Sequence, residues 1–489
     1  MKSAVRRISR LLAASILGAT LTATLTAQGV PPHSPVPPAG SASGVHSLPP
    51  LHAAEQTVPA PGGGHGGRPL FAAPTAPLEL EDILKQATVT EAVTAIERNW
   101  EESYQDYFKA NLAGLPLTAQ DIAPTLDSIG RKTGTKPALI YLVPGSQQLE
   151  LVLIAPQRQP VRIQVPAAPR ETLLEVVKDF GDQIKNPRKL TTTSYLQPAQ
   201  QLYQWMVAPL ESELQAASAD TLLFCAGPGL RAIPLAALHD GQQFLVEKYS
   251  LARIPAFKLT DTLYTDIRNS RVLAMGASEF QNLSPLPAVP VELSAIVGKL
   301  WPGETFLNQG FTLANLQSHL KPQSFGIVHL ATHADFQPGE ASKSYIQFWD
   351  AKLTLDKMRE IGWKNSPVQL LVLSACRTAI GDKQAELGFA GLAVQSGVKS
   401  AVASLWYVSD AGTLALISEF YRQLKTAPIK AEALRQAQLA IIRGQVPLQR
   451  GSVQRPTGSL PLPAVGVPPA ENLSHPFYWA AFTIIGSPW

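Results

Sequence analysis

The sequence predicts an α/β protein built on a mostly parallel sheet, and two apolar runs in its second half are the main reason. Residues 326–332 and 368–375 are short and almost entirely apolar, which is typical of strands buried on both faces of a parallel sheet. Between them, residues 353–361 have helical spacing, so we expect a strand–helix–strand unit. Further strands of the same sheet are predicted at residues 271–277, 305–307 and 400–406.

The part of the chain before this sheet is predicted to contain a helical segment, a hairpin and another buried strand. Apolar residues recur at helical intervals over residues 78–112, which predicts helix there. Residues 138–165 alternate around a Pro-Gly pair and indicate a hairpin. Residues 170–216 have a helical pattern, and the apolar run 222–226 stops at a Gly-Pro-Gly turn, as a buried strand would.

Helices are predicted between the strands of the second half. Two of the helical patterns are followed by a glycine, Gly397 or Gly444, and glycine commonly ends a helix. These helices are expected at residues 290–300, 312–320, 386–396, 410–425 and 429–443. Residues 445–474 are rich in proline and are expected to form a loop. Residues 475–485 are expected to return to the sheet or to pack on it.

Each of the two central strands ends on a residue that can do acid–base or nucleophilic chemistry. His333 follows the run at 326–332, and Cys376 follows the run at 368–375. Parallel strands end at one edge of a sheet, where open α/β sheets bind their ligands. A free thiol titrates near ~8.5, and a neighbouring imidazole can take its proton and later pass it to a leaving amine. The sequence therefore predicts a Cys376–His333 catalytic dyad.

Longer strings around these two residues carry a family pattern. They are HLATHADF (329–336), LLVLSACRTAIGD (370–382), ELGFAGLAVQSGVKSAVASLWYVSD (386–410) and HPFYWAAFTIIG (475–486). The segment Ala375-Cys376-Arg377 also matches part of the caspase cysteine motif, whose histidine lies roughly 50 residues upstream. These residues resemble the CHAT domains, which are caspase-like cysteine peptidases of clan CD. The similarity spans roughly residues 130–489.

The resemblance implies a caspase-like three-layer α/β sandwich with a mostly parallel sheet, preceded by a degenerate half-domain and a helical N-terminal segment. It also implies a cysteine endopeptidase that cleaves protein or peptide substrates without a cofactor. The main-chain N–H groups of Cys376 and Ala334 are expected to bind the oxyanion. Because caspases generally have Gly where this chain has Ala334, a non-catalytic CHAT module that binds or scaffolds other proteins remains the alternative.

Acidic residues that follow the predicted strands are candidates for substrate binding. Asp382 and Glu386 follow the Cys376 strand, Asp410 follows the next strand, and Asp335 follows His333. Acidic side chains at this edge would favour Arg or Lys at the P1 position of a substrate. Asp335 could instead orient the imidazole, and Asp410 could simply cap the next helix.

Two further residues invite other chemistry. His329 and His333 lie four residues apart, but on a strand that spacing separates them by about 13 Å, too far to share one ion. We therefore predict no metal site and interpret His329 as a core residue. Cys225 ends the strand at 222–226 and is expected to be reduced and structural, not paired with Cys376.

The beginning of the chain has the pattern of a targeting segment. Basic residues among the first ten precede an apolar, Thr-rich stretch, which predicts a signal peptide over residues 1–27 and a secreted or periplasmic protein. An uncleaved membrane anchor is the alternative. Residues 28–78 form a Pro/Gly-rich spacer, whose G-x-G-x-x-G pattern has no flanking strand and helix and so does not indicate dinucleotide binding.

The remaining organisation follows from these elements. A helical segment is expected at 79–130 and a CHAT domain at 131–489, divided into a degenerate half (131–265) and a catalytic half (266–489). The net charge is only +4, and no block of Lys or Arg follows the first ten residues, so no nucleic-acid surface is predicted. No feature of the sequence specifies an oligomeric state.

Overall fold

The computed structural model describes most of the chain after residue 79. The described residues are 80–112, 118–321, 325–363, 366–378, 382–449, 452–453, 458–461 and 472–489, without the side chains of residues 375–378 and 448–449. The predicted signal peptide and spacer lie outside them. Within the described residues, no helix combines the length and the apolar character that crossing a membrane requires.

The described part of the chain begins with helices α1 (Leu80–Gln86), α2 (Val89–Phe108) and α3 (Ala119–Thr133). The Thr88 hydroxyl accepts a hydrogen bond from the Glu91 N–H, and the Glu91 carboxylate accepts one from the Thr88 N–H. This capping box starts α2 and separates it from α1. The helix predicted over residues 78–112 is therefore confirmed for the described residues as two helices.

Sixteen strands occur among the described residues, and most of them coincide with predicted apolar runs. They are β1 (Pro137–Pro144), β2 (Leu149–Ile154), β3 (Val161–Val165), β4 (Thr221–Ala226), β5 (Ser250–Ile254), β6 (Val272–Gly276), β7 (Gly303–Leu307), β8 (Ile327–Phe336), β9 (Tyr345–Gln347), β10 (Lys352–Thr354), β11 (Leu370–Thr378), β12 (Ser400–Ser404), β13 (Leu448–Gln449), β14 (Ser452–Val453), β15 (Leu460–Pro461) and β16 (Phe482–Gly486). The hairpin predicted at 138–165 is a three-stranded antiparallel unit, β1–β3.

The remaining helices lie between these strands. They are α4 (Arg170–Ile184), α5 (Leu196–Met206), α6 (Glu211–Ala216), α7 (Leu245–Lys248), α8 (Val289–Ile296), α9 (Leu313–His319), α10 (Lys383–Ala390), α11 (Leu392–Ser396), α12 (Asp410–Gln423), α13 (Lys430–Ile442) and α14 (Pro476–Trp479). The single helix predicted at 386–396 is in fact two helices, which meet at Gly391.

All described strands except β13–β15 belong to one sheet of 13 strands. Its order is β7–β6–β8–β11–β12–β16–β5–β4–β1–β2–β3, and β9 and β10 extend the edge beside the carboxyl-terminal part of β8. Most neighbouring strands are parallel. The predicted α/β class with a mostly parallel sheet is therefore confirmed. β16 joins the two halves, because it pairs antiparallel with β12 and parallel with β5.

Helices α8, α10 and α12 all pack around the strand β8. The Nε2 atom of His329 lies 3.1 Å from an oxygen of the Glu292 carboxylate in α8, and its ring packs against the ring of Tyr421 in α12. Near the carboxyl end of the strand, Phe336 packs on Phe389 in α10. The middle of β8 is therefore covered by α8 and α12, and its carboxyl end is in contact with α10.

The connection between β8 and β11 differs from the prediction of an α-helix. β9 and β10 form a short hairpin, and residues 355–361 form a 3-10 helix. Leu355, Met358 and Ile361 are its buried residues. Their spacing of three residues matches the three residues per turn of a 3-10 helix, and this explains why the segment looked helical in sequence.

Candidate functional site

The two strands that carry His333 and Cys376 are parallel neighbours, as predicted. Leu370 of β11 lies opposite Ile327 of β8, but the register shifts by one residue near the carboxyl end. Beyond the shift, Ala375 lies opposite His333, and Cys376 lies opposite Ala334. Such irregularities change which residues face each other beside many active sites. The main chain of Cys376 is therefore adjacent to that of His333, whereas its side chain lies outside the described atoms.

Both strands continue past the predicted dyad. β8 ends at Phe336 and β11 ends at Thr378, while the pairing of β11 with β12 runs only from Leu370 to Val372. Main-chain N–H groups of a strand point in the plane of the sheet towards neighbouring strands. Ala334 lies between Ile346 of β9 and Cys376 of β11 and is 3% exposed.

Ala334 is thus enclosed in the plane of the sheet by a strand on each side. The expectation that the N–H groups of Ala334 and Cys376 bind an oxyanion stays a prediction. Ala334 is not among the described residues with a positive φ, so its conformation does not require the glycine that caspases have there.

A main-chain carbonyl orients the His333 ring. The Nε2 atom of His333 lies 2.8 Å from the carbonyl oxygen of Ser284, and the ring packs on Phe280 with the centroids 4.8 Å apart. A carbonyl can only accept a hydrogen bond, so Nε2 carries a proton. In the neutral ring, Nδ1 is then the nitrogen with a free lone pair. Nδ1 is thus the ring nitrogen that is able to accept a hydrogen bond.

Ser284 and Phe280 belong to the loop that joins β6 to α8, which we call the β6–α8 loop (residues 277–288). It is held at its start by the Ala277 N–H, which donates to the Ala331 carbonyl at 3.1 Å, and by an internal hydrogen bond from Leu286 to Ser278 at 3.0 Å. Sequence reasoning missed this loop, because the contact that matters is made by a main-chain oxygen and leaves no side-chain signature.

Asp410 closes the other end of the β6–α8 loop. Its Oδ2 atom accepts a hydrogen bond from the Ala288 N–H at 3.2 Å, and Oδ1 accepts one from the Tyr407 hydroxyl at 2.8 Å. Burial raises the pKa of the Asp410 carboxyl, an effect that these two hydrogen bonds and the nearby His333 oppose. Ser409, not Asp410, caps α12, because its hydroxyl accepts from the Gly412 N–H. The capping alternative for Asp410 is therefore wrong.

The other three acidic candidates, Asp335, Asp382 and Glu386, each form hydrogen bonds with different groups. Asp335 is partly exposed and accepts a hydrogen bond from the Gln337 side-chain amide at 2.7 Å. The group that orients the His333 ring is the Ser284 carbonyl and not Asp335, the alternative that the sequence offered. Asp382 caps α10 by accepting from two main-chain N–H groups. Glu386 is completely buried and accepts from the Gly229 N–H at 2.9 Å. A bound peptide cannot reach such a carboxylate, which corrects the expectation for Glu386.

His329 and Cys225 both have core positions, as predicted. His329 is fully buried beside Glu292 and Tyr421. Cys225 is free and buried, and its thiol donates to the Pro255 carbonyl, with burial raising the pKa of the thiol. Four strand spacings of ~4.8 Å separate β4 from β11, which is far more than a disulfide spans.

Among the described residues, no group of three or more His, Cys, Asp or Glu side chains is arranged to hold a metal ion.

Three cavities of about 550 to 640 Å³ are found in the described part of the molecule. One of about 630 Å³ lies between the β6–α8 loop and the β9–β10 hairpin and is lined by Phe280, Phe348 and Trp349, among others. Because Phe280 also contacts the His333 ring, this cavity adjoins the candidate site. A second, of about 550 Å³, is lined by residues of α1, α2 and the β1–β2 connection, and a third, of about 640 Å³, is lined mainly by residues of α1 and α2. None of the residues that line these two cavities belongs to the candidate site.

Two solved structures have low similarity to the chain. The chain has structural similarity to the Saccharomyces cerevisiae separase in its complex with securin, at 10% identity and a TM-score of 0.44 over 81% of this chain. The match spans 33% of that separase chain, about a third of its length. The complex of Porphyromonas gingivalis RgpB pro- and mature domains matches with 12% identity and a TM-score of 0.35, over 65% of this chain and 76% of that one.

None of the curated proteins compared with the chain matches it significantly. The model of the CHAT domain family, in contrast, matches residues 196–487. This range contains β8, β11, the β6–α8 loop and the helices that pack around them. The chain belongs to the CHAT domain family.

Proposed function

We propose that the protein is a cysteine endopeptidase in which Cys376 is the nucleophile and His333 is the general base and acid. The observation that carries the proposal is the hydrogen bond between His333 Nε2 and the Ser284 carbonyl at 2.8 Å. It keeps the proton on Nε2 and leaves Nδ1 free, on a strand whose parallel neighbour contains Cys376. Membership of a family related to caspase-like peptidases supports the same assignment.

The proposed chemistry assigns one step to each residue. His333 Nδ1 accepts the thiol proton, and the Cys376 thiolate attacks the carbonyl carbon of the scissile peptide bond. The imidazolium then gives this proton to the leaving amine, and a thioester to Cys376 remains. Water attacks the thioester with His333 again as the base, and the thiol and the substrate's new carboxyl group are released. No cofactor takes part in these steps.

The alternative is a non-catalytic CHAT module that binds other proteins. It is favoured by Ala334, which stands where caspases generally have Gly, and by the enclosure of its main chain between β9 and β11. In this case Cys376 would be an ordinary thiol without an activating partner.

The experiment compares the wild type with Cys376→Ala, His333→Ala and Cys225→Ala. Cleavage of labelled casein and of a mixed peptide library should fall to background in the first two variants. It should persist in Cys225→Ala, which removes the other cysteine and serves as the matched control. Residual cleavage by Cys376→Ala at the wild-type rate would refute the assignment of the nucleophile.

A second measurement separates the peptidase from the binding module without knowledge of the substrate. Iodoacetamide should alkylate Cys376 faster than free cysteine below pH 7, because a thiol beside a proton acceptor has more thiolate. In His333→Ala this advantage should disappear. If Cys376 in the wild type reacts no faster than free cysteine, the binding module is the better assignment.

The finer organisation follows from the same proposal. Residues 131–265 would be the degenerate half of the CHAT domain and residues 266–489 the catalytic half, with Asp335 and Asp382 available to substrate. The basic and then apolar residues 1–27 support a signal peptide and a secreted or periplasmic location, with a membrane anchor as the other outcome. N-terminal sequencing of protein exported from cells distinguishes the two.

A further inference from the structure

The β6–α8 loop is held in place at Ala288 by a carboxylate from another helix. Asp410, the first residue of α12, accepts a hydrogen bond from the Ala288 N–H at 3.2 Å. Its second oxygen accepts from the Tyr407 hydroxyl at 2.8 Å. Because the Ser409 side chain caps α12, the Asp410 oxygens are not needed for the cap. The Asp410 carboxylate instead fixes the end of the β6–α8 loop at Ala288.

The same loop contains the two groups that contact His333. The Ser284 carbonyl accepts from Nε2, and the Phe280 ring packs against the imidazole. Ser284 is four residues before Ala288 in a segment with no regular secondary structure. A shift of Ala288 would therefore move the Ser284 carbonyl and release the His333 ring.

We propose that Asp410 is a positioning residue: by anchoring Ala288, it holds the Ser284 carbonyl against His333 Nε2 and so keeps Nδ1 free for the thiol proton. This inference rests on the proposed peptidase function. It differs from the sequence-based expectation that Asp410 binds a basic P1 side chain, although the two roles use the same carboxylate.

The geometry around Asp410 favours positioning over P1 binding. Both carboxylate oxygens already accept hydrogen bonds. The cavity beside it, lined by Glu292, Ser374 and Tyr407 among others, has a volume of about 10 Å³. This is room for about one water molecule, whereas an arginine or lysine side chain would need Tyr407 to swing away.

The test uses two substitutions that separate anchoring from charge. In Asp410→Asn, the amide oxygen can accept from the Ala288 N–H while the amide nitrogen donates to the Tyr407 oxygen, so the anchor survives without the charge. In Asp410→Ala the anchor is lost. A positioning role predicts that kcat falls about 10- to 100-fold in Asp410→Ala with little change in KM, and that Asp410→Asn restores kcat to within about threefold of the wild type.

Two controls make the comparison specific. Asp266→Ala removes an exposed carboxylate that pairs only with its neighbour Arg268 in the described hydrogen bonds, and it should leave kcat and KM unchanged. Thermal melting identifies any variant that fails to fold. If Asp410→Ala is poorly folded, Asp410→Asn alone still decides between the two roles, because a P1-binding role predicts that it loses cleavage after Arg and Lys.

The readout that a merely structural role would not change is the tautomer of His333. Long-range proton–nitrogen NMR of the ring nitrogens, assigned by difference from His333→Gln, should show a proton on Nε2 in the wild type and in Asp410→Asn. Asp410→Ala should show a mixture of tautomers. This measurement works even in a protein that cleaves nothing, so a failure of the peptidase proposal remains distinguishable from a failure of this one.

Three results would overturn the inference. One is an unchanged kcat and tautomer in Asp410→Ala. Another is a loss of activity in Asp410→Asn equal to that in Asp410→Ala. The third is a rise in KM in Asp410→Asn that is restricted to substrates with Arg or Lys at P1, which would assign Asp410 to substrate binding.

Discussion

Replacing Gly276 with alanine tests whether the end of β6 controls the strand that carries His333. Gly276 is the last residue of β6 and lies opposite Ala331 of β8. A Cβ atom at this position would lie 2.5 Å from the Ala331 carbonyl oxygen, 2.9 Å from the Ala331 Cβ and 2.9 Å from Val289 Cγ1. Two of these neighbouring atoms are on β8 and the third is on α8. The clash therefore cannot be relieved by the movement of one flexible side chain.

The size of the effect follows from these distances. A carbon atom approaches a carbonyl oxygen to about 3.3 Å, so the strands must separate by roughly 0.8 Å. Overpacking of this kind costs about 1–3 kcal/mol. The hydrogen bond from the Ala277 N–H to the same Ala331 oxygen, at 3.1 Å, would weaken as well, at about 0.5–1.5 kcal/mol. We expect Gly276→Ala to lower the free energy of unfolding by about 2–4 kcal/mol.

Urea unfolding followed by tryptophan fluorescence measures this loss, and Gly181→Ala is the matched control. Gly181 lies inside α4, and a Cβ there would meet no atom within 4 Å, so alanine should stabilise the protein by about 0.5–1 kcal/mol. Since Ala331 precedes His333 by two residues, Gly276→Ala should also slow iodoacetamide alkylation of Cys376 below pH 7. A Gly276→Ala variant as stable as the wild type would refute the steric reasoning.

Three further predictions concern buried charged and titratable groups. The buried Glu97 carboxylate accepts hydrogen bonds from the Tyr141 hydroxyl and two main-chain N–H groups. Glu97→Leu leaves these buried donors unpaired and should lower the free energy of unfolding in urea by at least about 1–3 kcal/mol, and Glu97→Gln should lower it less. Burial lowers the pKa of His475 to about 4, below its unfolded value near 6.5. The unfolded chain therefore binds more protons between these values, and stability should fall by about 1–2 kcal/mol from pH 7 to pH 4.5. In His475→Asn, which can still cap α14, this dependence should vanish. Burial likewise lowers the pKa of Lys430 to about 7, so stability should rise with pH from about 7 to 10 in the wild type but not in Lys430→Met.

The central strands were predictable because a strand buried on both faces of a parallel sheet is nearly all apolar. β8 and β11 have this pattern, and their adjacency followed from the crossover between them. The connection was harder to predict, since apolar residues three apart, such as Leu355 and Met358, fit both an α-helix and a 3-10 helix over one or two turns. Local pattern alone does not separate these two structures in so short a segment.

From the sequence, only those parts of the candidate site could be predicted that depend on the type of a side chain. His333 and Cys376 are conspicuous because each follows an apolar run. The Ser284 carbonyl, in contrast, acts through an atom that every residue has, so no residue type marks it. Glu386 was mistaken for a substrate-binding residue because it is near Cys376 in sequence, whereas its carboxylate is buried against Gly229 in the loop after β4. Sequence proximity cannot tell which face of α10 such a carboxylate occupies.

The contact of Glu386 also argues that the first half of the sheet supports the candidate site. α10 follows the Cys376 strand, and its Glu386 carboxylate is completely buried and accepts from Gly229, in the loop after β4. On the same helix, Phe389 lies beneath the guanidinium of Arg253, from β5. Losing a hydrogen bond to a charged group costs about 1.5–3 kcal/mol, and removal of β5 would also expose the edge of β16. The helix that follows the proposed nucleophile therefore depends on residues that a caspase-like half alone would lack.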